Sequence, residues 1–468
     1  MPWTFWTDLF FLWYFSAINV VYTLLLFLGM IRVYLRRKEL NIEDFTNILH
    51  SNSLPTICFI IPMYNEEQNI SATIQNILHL TYRSKQIIAV NDGSDDDTLQ
   101  VLKREYKLVL IPQFYQESIP TEQVKQVYRS QSNPELIVID KRHQGKYDTL
   151  NAGLNACEQP FFLAVDADSF IDDATFEALV RPILGSAETV AIGATIRVRN
   201  GCTLEYNRID TKKFPNGVLT AMQGLEYLRS FLMRQGWDWI GGNFVIAGAF
   251  SIFSTELIRN IGGFSSTAAE DVEIVIRLHR VMRESRLPYR IVYLPDPVSW
   301  TEAPSTLKTL GKQRTRWHYG LLESIWYHKK LCFNPFYGLV GFITYPFMIW
   351  GEALEPIVEI GGYLYILTMW FLGILNIPFF ILFLLLSFGF TFFYSLACLL
   401  IEELSFRKYP SFKSIASLLA CCLIENFGYR QFNACWKARG FFRFFRNFIK
   451  VNQEARRVGR LISRTAIK

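Results

Sequence analysis

The sequence predicts an α/β protein in which a doubly wound sheet with buried parallel strands is joined to α-helical membrane segments. Two observations lead to this prediction. Short apolar strands alternate with helix-period segments in the middle of the chain, and long uncharged stretches lie on either side of them. Half of the 468 residues are apolar, so the composition excludes a disordered chain and a purely soluble one.

The N-terminal membrane span runs from Leu9 to Ile31, a stretch of 23 residues without a charge. As a helix it would be about 34 Å long, enough to cross the ~30 Å hydrocarbon core of a bilayer. A cleaved signal peptide is the alternative, but the stretch is too long and lacks a basic start and a small-residue cleavage site. Basic residues after the span place the N-terminus outside and the next domain in the cytosol; they are Arg32, Arg36, Arg37 and Lys38.

The α/β domain begins after residues 39–53, a polar, aperiodic segment that is expected to be a linker. Thr56 to Ile61 is an apolar, β-branched run that ends at Pro62, which is typical of a buried parallel strand. Asn69 to Leu80 has helical spacing, and Gln86 to Val90 repeats the strand pattern. Strand, helix and strand at this spacing predict a doubly wound sheet.

The sheet is expected to continue through Leu136 to Ile139 and Phe161 to Val165, two apolar runs that end in charged residues. Lys103 to Asn133 is less regular and is expected to be an insertion over the sheet. Ligands of open α/β sheets bind beyond the carboxyl ends of the strands. Three charged side chains fall there and imply a single site: Asp92, Lys141 and Asp166.

Four patterns describe the second half of this domain. Gly217 to Met233 has helical spacing, and Ile240 to Phe253 is a small-residue, apolar segment suited to close backbone packing. Arg277 to Arg286 is expected to form an exposed face of a helix, and Ile291 to Leu294 another strand.

The carboxyl third returns to the membrane. Ile357 to Leu375 and Pro378 to Ile401 predict two spans, and basic residues beyond them mark a return to the cytosol. Ile415 to Phe427 is expected to be interfacial or re-entrant, and Phe333 to Ile349 to be amphipathic beside the cytosolic face. The basic tail from Lys437 to Lys468 is expected to contact anionic lipid headgroups.

The chain is thus divided into five parts. These are an N-terminal transmembrane helix with its basic flank (1–38), a linker (39–53), a cytosolic α/β domain (54–320), interfacial and transmembrane helices (321–436) and a basic cytosolic tail (437–468). The formal charge of +6 is modest and no nucleic-acid-binding module is recognisable, so no nucleic-acid partner is expected. The eight cysteines lack metal-site spacing, which predicts reduced, structural thiols.

Acidic residues follow the predicted strands. Asp166 and Asp168 alternate in V-D-A-D-S at a strand end, where carboxylate oxygens suit Mg²⁺ or Mn²⁺. A solvated turn is the alternative for this pair. Asp92 stands in V-N-D-G-S, where Gly93 allows a tight turn against a ligand, and an Asx turn without a ligand is the alternative.

Further polar motifs lie near the same strand ends. Tyr64 and Glu66 stand in P-M-Y-N-E-E, and Lys146 in Q-G-K-Y-D-T-L-N, where Lys141 and Arg142 are the neighbouring cations and form a solvated face in the alternative interpretation.

Glu270 and Asp271 stand in A-E-D-V-E at the start of a helical segment. A carboxylate can act as a general base that takes the proton of a hydroxyl group within hydrogen-bond reach. The alternative is that both carboxylates only complement the dipole of the helix N-terminus, and the two roles are compatible.

The run Gln313, Arg316 and Trp317 forms a Q-x-x-R-W signature shortly before the apolar carboxyl third. An indole face stacks on sugar rings, and Gln and Arg reach hydroxyls or a diphosphate. An interfacial Trp beside a snorkelling Arg is the alternative.

Together these motifs resemble the processive family 2 glycosyltransferases, which include the synthases of cellulose, chitin, hyaluronan and poly-N-acetylglucosamine. The resemblance covers roughly Pro55 to Gly320 by motif and the rest of the chain by layout. It implies a GT-A (Rossmann-like) domain at 54–320 and inverting transfer from a UDP-sugar to a growing β-linked glycan. Two departures are Thr149, where the family commonly has Ala, and Ala269, where it has Thr or Gly.

The resemblance also implies roles for the residues. Asp168 with Asp166 would hold Mg²⁺ or Mn²⁺, and Asp271 would be the catalytic base with Glu270 orienting it. Nucleotide contacts would come from Tyr64, Glu66, Asp92, Lys146 and Asp166. The acceptor and the mouth of a translocation channel would be contacted by Gln313, Arg316 and Trp317.

The predicted product is a poly-N-acetylglucosamine-type polymer made from UDP-N-acetylglucosamine, because size and membrane layout are most similar to that branch. The expected partners are the UDP-sugar, the glycan and membrane lipid, with a bacterial-type plasma or inner membrane as the location and an accessory or export subunit left open. Alternatives are a non-processive transferase acting on a lipid-linked acceptor and an inactive membrane scaffold or transport subunit. Three glutamates, Glu352, Glu355 and Glu359, share one helical face and either line a polar path or sit in headgroups.

Overall fold

A computed structural model describes residues 3–42, 54–205, 208–210, 217–406 and 411–464 of the chain. Its centre is a ten-stranded mixed sheet whose strands alternate with helices along the chain, and a second group of helices follows it. The predicted fold class, an α/β domain with α-helical membrane and interfacial segments, is confirmed.

The strands are short and mostly buried. They are β1 (Ile57–Met63), β2 (Lys85–Asn91), β3 (Leu108–Ile111), β4 (Val124–Ser130), β5 (Leu136–Lys141), β6 (Phe161–Val165), β7 (Phe170–Ile171), β8 (Thr189–Val198), β9 (Thr203–Glu205), β10 (Arg208–Asp210), β11 (Phe250–Ser254) and β12 (Arg290–Thr301). The main sheet has the order β3-β4-β5-β2-β1-β6-β11-β8-β12-β7, and β9 pairs with β10 separately. Strands β5, β2, β1 and β6 are parallel, whereas β11 runs antiparallel between β6 and β8.

The helices of the α/β domain connect these strands. They are α2 (Ile70–Leu78), α3 (Thr98–Glu105), α4 (Lys146–Ala156), α5 (Asp173–Gly185), α6 (Val218–Trp239), α7 (Thr255–Asn260) and α8 (Glu270–Glu284). Buried Ile70, Ile74 and Ile77 give α2 one apolar face at helical spacing. Helix α4 approaches β1 closely, since a Cβ at Gly153 would lie 2.4 Å from the side chain of Ile60.

The remaining helices belong to the membrane-proximal part. They are α1 (Trp3–Ile42), α9 (Leu307–Tyr327), α10 (Glu355–Phe371), α11 (Ile377–Leu384), α12 (Phe390–Ser405), α13 (Phe412–Ile424), α14 (Tyr429–Arg446) and α15 (Phe448–Arg464). Short pieces lie between α9 and α10, namely 3-10 turns Lys329–Leu331 and Pro335–Tyr337, π-helical turns Val340–Thr344 and Met348–Ala353, and the helical turn Tyr345–Phe347. A π-helical turn Leu385–Gly389 joins α11 to α12.

Within the described residues, two helical stretches are long and apolar enough to cross a membrane, Trp3–Lys38 and Ile377–Ser405. They contain the predicted spans at Leu9 to Ile31 and Pro378 to Ile401. The other predicted span, Ile357 to Leu375, corresponds to α10, which ends at Phe371.

Two predictions within the α/β domain are wrong. Lys103 to Asn133 is not an insertion over the sheet, because its strands extend the sheet: β4 pairs antiparallel with β5, and β3 pairs antiparallel with β4. Arg277 to Arg286 is not an exposed helix face, because Arg277 is fully buried in α8. Its guanidinium bonds Glu273 and the carbonyl oxygens of Ile261 and Gly263, so its charge is satisfied inside the protein.

The segment divisions also differ near the membrane. Residues 39–42 of the predicted linker continue α1, and 43–53 lie outside the described residues. The boundary predicted between 436 and 437 falls inside α14, and α14 and α15 both pack on α9. Part of the predicted basic tail is therefore folded against the protein, with Val451 and Val458 of α15 buried.

Ion pairs join the α/β domain to the membrane helices. Arg197 of β8 contacts both carboxylate oxygens of Glu402 in α12, at 2.7 and 2.8 Å, and both side chains are buried. Arg36 of α1 makes a similar two-pronged contact with Asp296 of β12, at 3.1 and 3.2 Å. Such paired hydrogen bonds fix geometry as well as charge, so the two parts are held rigidly together.

Candidate active site

The predicted acidic residues gather at the carboxyl edge of the parallel strands. Asp92 follows β2, Lys141 ends β5 and Asp166 follows β6, and with β1 these strands form the contiguous parallel run β5-β2-β1-β6 of the sheet. Open α/β sheets bind ligands at this edge.

Asp92 is buried and its carboxylate is occupied by groups of the same chain. It lies 2.6 Å from the Lys141 amine and 2.9 Å from His143 Nδ1. It also accepts the backbone amides of Gln144 at 3.1 Å and Gly145 at 2.8 Å. Its visible role is to shape the 141–145 loop, and a direct nucleotide contact by this carboxylate stays a prediction.

Lys141 is fully buried and lies 2.8 Å from Asp148 in addition to Asp92. The interpretation of Lys141 as part of a solvated face is therefore wrong, because two carboxylates compensate its charge inside the fold. Arg142, in contrast, is exposed.

Tyr64 and His143 form an aromatic pair at the rim of this loop. Their ring centroids are 4.4 Å apart, and the Tyr64 hydroxyl donates to Asp95 at 3.2 Å. Asn65 next to Tyr64 has φ of 57° and Gly93 has φ of 67°, so two left-handed turns bring these loops together. Both rings keep exposed area on which a flat ligand could stack.

Lys146 is the first residue of α4, and its amine lies between two acidic groups. It is 2.5 Å from Asp166 Oδ1 and 3.5 Å from Glu270 Oε1. Helix α4 thus points its N-terminus and a cation at the end of β6, an arrangement suited to a phosphate.

Asp168 lies two residues after Asp166 and is partly buried like it, with the Thr301 hydroxyl 3.4 Å from one oxygen. Burial raises the pKa of Asp168 to about 6, and the negative charges of Asp166 and Glu66 add to the rise. Burial also raises the pKa of Glu66, whose carboxylate accepts from Asn69 at 3.0 Å. Mutually repelling carboxylates of this kind favour a bound cation.

Among the described residues, no group of three or more His, Cys, Asp or Glu side chains is arranged to hold a metal ion. Mg²⁺ in nucleotide sites needs only one or two protein carboxylates, because phosphate oxygens and water complete its shell. Asp166 and Asp168 have the ligand chemistry for such a shared ion.

Glu270 and Asp271 open α8 beside this group. Asp271 accepts the amide of Gly248 at 3.1 Å through one oxygen and its neighbour Val272 at 2.9 Å through the other. Burial raises the pKa of Glu270; Lys146 opposes the rise and Asp271 adds to it. Both carboxylates stand in the first turn of the helix, so the dipole role also applies to them.

The Q-x-x-R-W residues lie on α9. Arg316 is exposed, Trp317 is 38% exposed and Gln313 is partly buried. Sequence reasoning missed Arg314, which is buried beneath the Trp317 ring at 4.5 Å and pairs with Glu226 of α6 at 2.9 Å. Its position inside the motif was the available signal, since a stacked Arg holds an indole in place.

The three glutamates of the predicted polar face point into the protein. Glu352 accepts from Tyr22 at 3.3 Å. The other two glutamates contact cations of α14, and Glu359 also accepts from Tyr363 of its own helix at 2.6 Å. Lys437 lies 3.4 Å from Glu355 and Arg430 lies 2.6 Å from Glu359. These contacts favour the interpretation in which the glutamates face the protein interior over the one in which they sit in headgroups. Lys437 is the first residue of the predicted tail, and Arg430 lies shortly before it.

Polar contacts continue from these glutamates toward α9. Glu226 accepts from Tyr429 of α14 at 2.7 Å as well as from Arg314. One turn along α6, Arg229 lies 2.5 Å from Glu425 at the end of α13. None of these residues was predicted, because isolated charges in apolar helices carry no motif.

The sequence model of the glycosyltransferase-like family 2 matches residues 55–320 of this chain. Poly-beta-1,6-N-acetyl-D-glucosamine synthase of Staphylococcus aureus is 26% identical over 298 residues, which cover 62% of this chain and 61% of that protein. The synthase of the same name from Staphylococcus epidermidis is 24% identical over 277 residues, covering 58% and 56%. The chain thus aligns with about three fifths of the length of these relatives.

Among solved structures, a mannosyltransferase from Pyrobaculum calidifontis in complex with GDP-Man and Mn²⁺ overlaps with a TM-score of 0.49. The overlap covers 89% of this chain and 99% of that one, at 16% sequence identity.

Proposed function

Because this chain belongs to the glycosyltransferase-like family 2, we propose that it is a membrane-embedded, inverting glycosyltransferase. It polymerises N-acetylglucosamine from UDP-N-acetylglucosamine into a β-linked polysaccharide and passes the chain through its own helices. The observation that carries the proposal is the position of Lys146, which joins Asp166 at the donor edge of the sheet to Glu270 beside the proposed base.

The donor occupies the carboxyl edge of the sheet in this proposal. Its base stacks on the Tyr64 and His143 rings, and its diphosphate lies over the N-terminus of α4, where Lys146 provides a compact positive charge. Asp166 and Asp168 hold the divalent cation, which when bound stabilises the negative charge of the leaving diphosphate.

Asp271 is the proposed base. Its carboxylate is fixed by the Gly248 amide, and a Cβ at Gly248 would lie 2.9 Å from it, so the backbone leaves the side chain little room to turn. A base held in one orientation can take the proton of an acceptor hydroxyl as the new bond forms. Glu270 helps orient this base.

The acceptor end of the glycan lies against α9. Trp317 has an open ring face stiffened from below by Arg314, and Arg316 is free to reach sugar hydroxyls. Such a platform retains a chain after each addition, which supports processive rather than single transfer.

The polar contacts among α6, α9, α10 and α14 are the proposed route for the finished chain. Ionisable residues inside membrane-proximal helices are costly unless they line a polar path or pair with each other. Glu355 with Lys437 and Glu359 with Arg430 add two paired carboxylates of α10 to that path. The α/β domain at 54–320 would face the cytosol, following the basic residues after α1.

The test is an assay of the purified chain in nanodiscs with a panel of labelled UDP-sugars and Mn²⁺ or Mg²⁺. UDP release and a high-mass product from UDP-N-acetylglucosamine are expected, and a β-glycosidase should digest the product. Asp271→Asn should abolish UDP release. Products of a single added sugar would favour a non-processive transferase, and no UDP release with any donor would overturn the proposal.

A further inference from the structure

The segment 264–269, which leads into α8, is held by a side chain from α9. Glu323 of α9 is buried, and its Oε2 accepts the backbone amide of Ala268 at 2.9 Å. Ala268 lies two residues before Glu270 and three before Asp271. The helix that carries the Q-x-x-R-W residues therefore contacts the backbone three residues before the proposed base.

At Gly320, the same face of α9 packs directly against the backbone of Ala268 and Ala269, with no space for a larger side chain. A Cβ at Gly320 would lie 2.5 Å from the amide nitrogen of Ala269 and 2.8 Å from the carbonyl carbon of Ala268. Gly320 and Glu323 are three residues apart and thus neighbours on the helix surface. Backbone packing and a hydrogen bond together fix how far α9 lies from the start of α8.

The other end of the segment 264–269 is held by a side chain of α4. Asn151 of α4 accepts the amide of Phe264 at 2.7 Å and donates to its carbonyl oxygen at 3.0 Å. Helix α4 also carries Lys146, which is proposed to contact the sugar donor. The segment 264–269 is therefore anchored between α4 and α9, the helix proposed to contact the glycan acceptor.

Burying the carboxylate of Glu323 costs free energy, so packing alone does not explain a glutamate at this position. Burial raises the pKa of Glu323, which reflects the cost of keeping its charge away from water. Hydrogen bonds to the Ala268 amide and Tyr319 and the charge of Arg443 oppose this cost.

We propose that Glu323 is a positioning residue for glycosyl transfer, which holds the acceptor face of α9 and the base Asp271 at a fixed separation through the Ala268 amide. This inference rests on the proposed function. Transfer requires the acceptor hydroxyl within hydrogen-bond reach of the base, and small displacements of such groups are costly in rate.

The test compares three variants of the full-length protein in nanodiscs. Glu323→Ala removes the acceptor oxygen, whereas Glu323→Gln keeps an oxygen that can accept the Ala268 amide. Glu454→Ala is the matched control, because Glu454 is a carboxylate of the adjacent α15 that pairs with Arg457 at 3.8 Å, and no described hydrogen bond joins it to the 264–269 segment.

We expect Glu323→Ala to lower the kcat of polymer synthesis by about 10- to 100-fold with the KM for the donor unchanged. Glu323→Gln should retain most of the wild-type kcat, and Glu454→Ala all of it. Amide hydrogen exchange in 265–270 should speed up in Glu323→Ala alone. Wild-type kcat in Glu323→Ala, or equal loss in both Glu323 variants, would overturn the inference.

Hydrogen exchange distinguishes failure of the positioning role of Glu323 from failure of the proposed function. If the wild-type protein released UDP from no donor, the proposed activity would be wrong while exchange would still report on the Glu323 contact. If the wild-type protein were active and exchange in 265–270 were unchanged in Glu323→Ala, the positioning role would be wrong.

Discussion

The amine of Lys146 lies 2.5 Å from the Asp166 carboxylate, so the start of α4 is tied to the end of β6 by an ion pair. Burial lowers the pKa of Lys146, but Asp166 and Glu270 outweigh burial and raise it above the usual value for lysine. The side chain therefore remains charged at physiological pH, as the proposed contact with a diphosphate requires.

Replacing this charge should impair donor use. We expect Lys146→Met to lower kcat for UDP release by about 100-fold, as loss of one transition-state contact does, and Lys146→Arg to recover part of it. The measurement is a coupled UDP-release assay. Lys125→Met is the control, because Lys125 is half-exposed and 3.8 Å from Asp140; equal loss in both would contradict the assignment.

Loss of one acidic side chain should weaken metal binding. We expect Asp168→Asn to raise the Mn²⁺ concentration for half-maximal UDP release at least about tenfold, because one oxygen ligand is replaced by a weaker one. The control is Asp173→Asn on α5, whose carboxylate bonds only Thr81 in the described contacts. An unchanged Mn²⁺ dependence in Asp168→Asn would remove this residue from the metal site.

Truncating the acceptor platform should shorten the product. Trp317→Ala removes a stacking surface and one contact with Arg314, so we expect shorter chains with UDP release largely kept. The loss of stability should be about 1 to 2 kcal/mol, because the Arg314 side of this cation–π contact is buried. Product size is measured by gel filtration, with Trp239→Ala as the control at a similarly exposed Trp.

Removing a charge from the proposed route should affect export more than synthesis. Glu355→Gln leaves the Lys437 amine without its anionic partner, which should disturb the packing of α10 on α14. In proteoliposomes we expect UDP release to continue while less polymer reaches the far side of the membrane. Glu188→Gln, at an exposed site, is the control. Unchanged export by Glu355→Gln would count against the route.

Buried histidines should make the protein sensitive to acid. Burial lowers the pKa of His279 to about 4, with a further reduction from Arg283 and an opposing effect of the Asn243 carbonyl. The unfolded chain binds the proton from about pH 6.5 downward and the folded chain only near pH 4, so stability falls across that window and not above it. The full cost of this one group is about 3 kcal/mol.

The matching measurement is thermal unfolding between pH 7.5 and 5. We expect the unfolding temperature of the wild-type protein to decrease as the pH is lowered below 6.5. The unfolding temperature of His279→Gln should decrease less steeply, because glutamine takes up no proton. His79→Gln is the control, since that imidazole is exposed. Identical pH profiles for His279→Gln and wild type would contradict the assignment.

The strands β1, β2, β5 and β6 were predictable because each is an uninterrupted apolar run of strand length that is buried on both faces. β3 and β4 were not, since β3 is a four-residue edge strand that is half-exposed and β4 mixes polar with apolar residues. The positions of Asp92, Lys141 and Asp166 followed from the rule that sheet ligands gather at strand ends.

Residues that act through tertiary contacts escaped prediction. Arg277 looks exposed in sequence because charged residues usually are, and only the fold supplies its carbonyl and Glu273 partners. Arg314 and Glu323 depend on which face of α9 meets α6 and the 264–269 segment, which local spacing does not determine.

The contacts of Arg36 with Asp296 and of Arg197 with Glu402 cross the border at which a catalytic fragment would be cut. A recombinant piece limited to residues 54–320 would lose α1, α12 and the two carboxyl-terminal helices that cover α9. It would bring apolar surface and charged side chains with severed partners into water together. Biochemistry on this enzyme therefore has to begin with extraction of the intact polypeptide in a lipid environment.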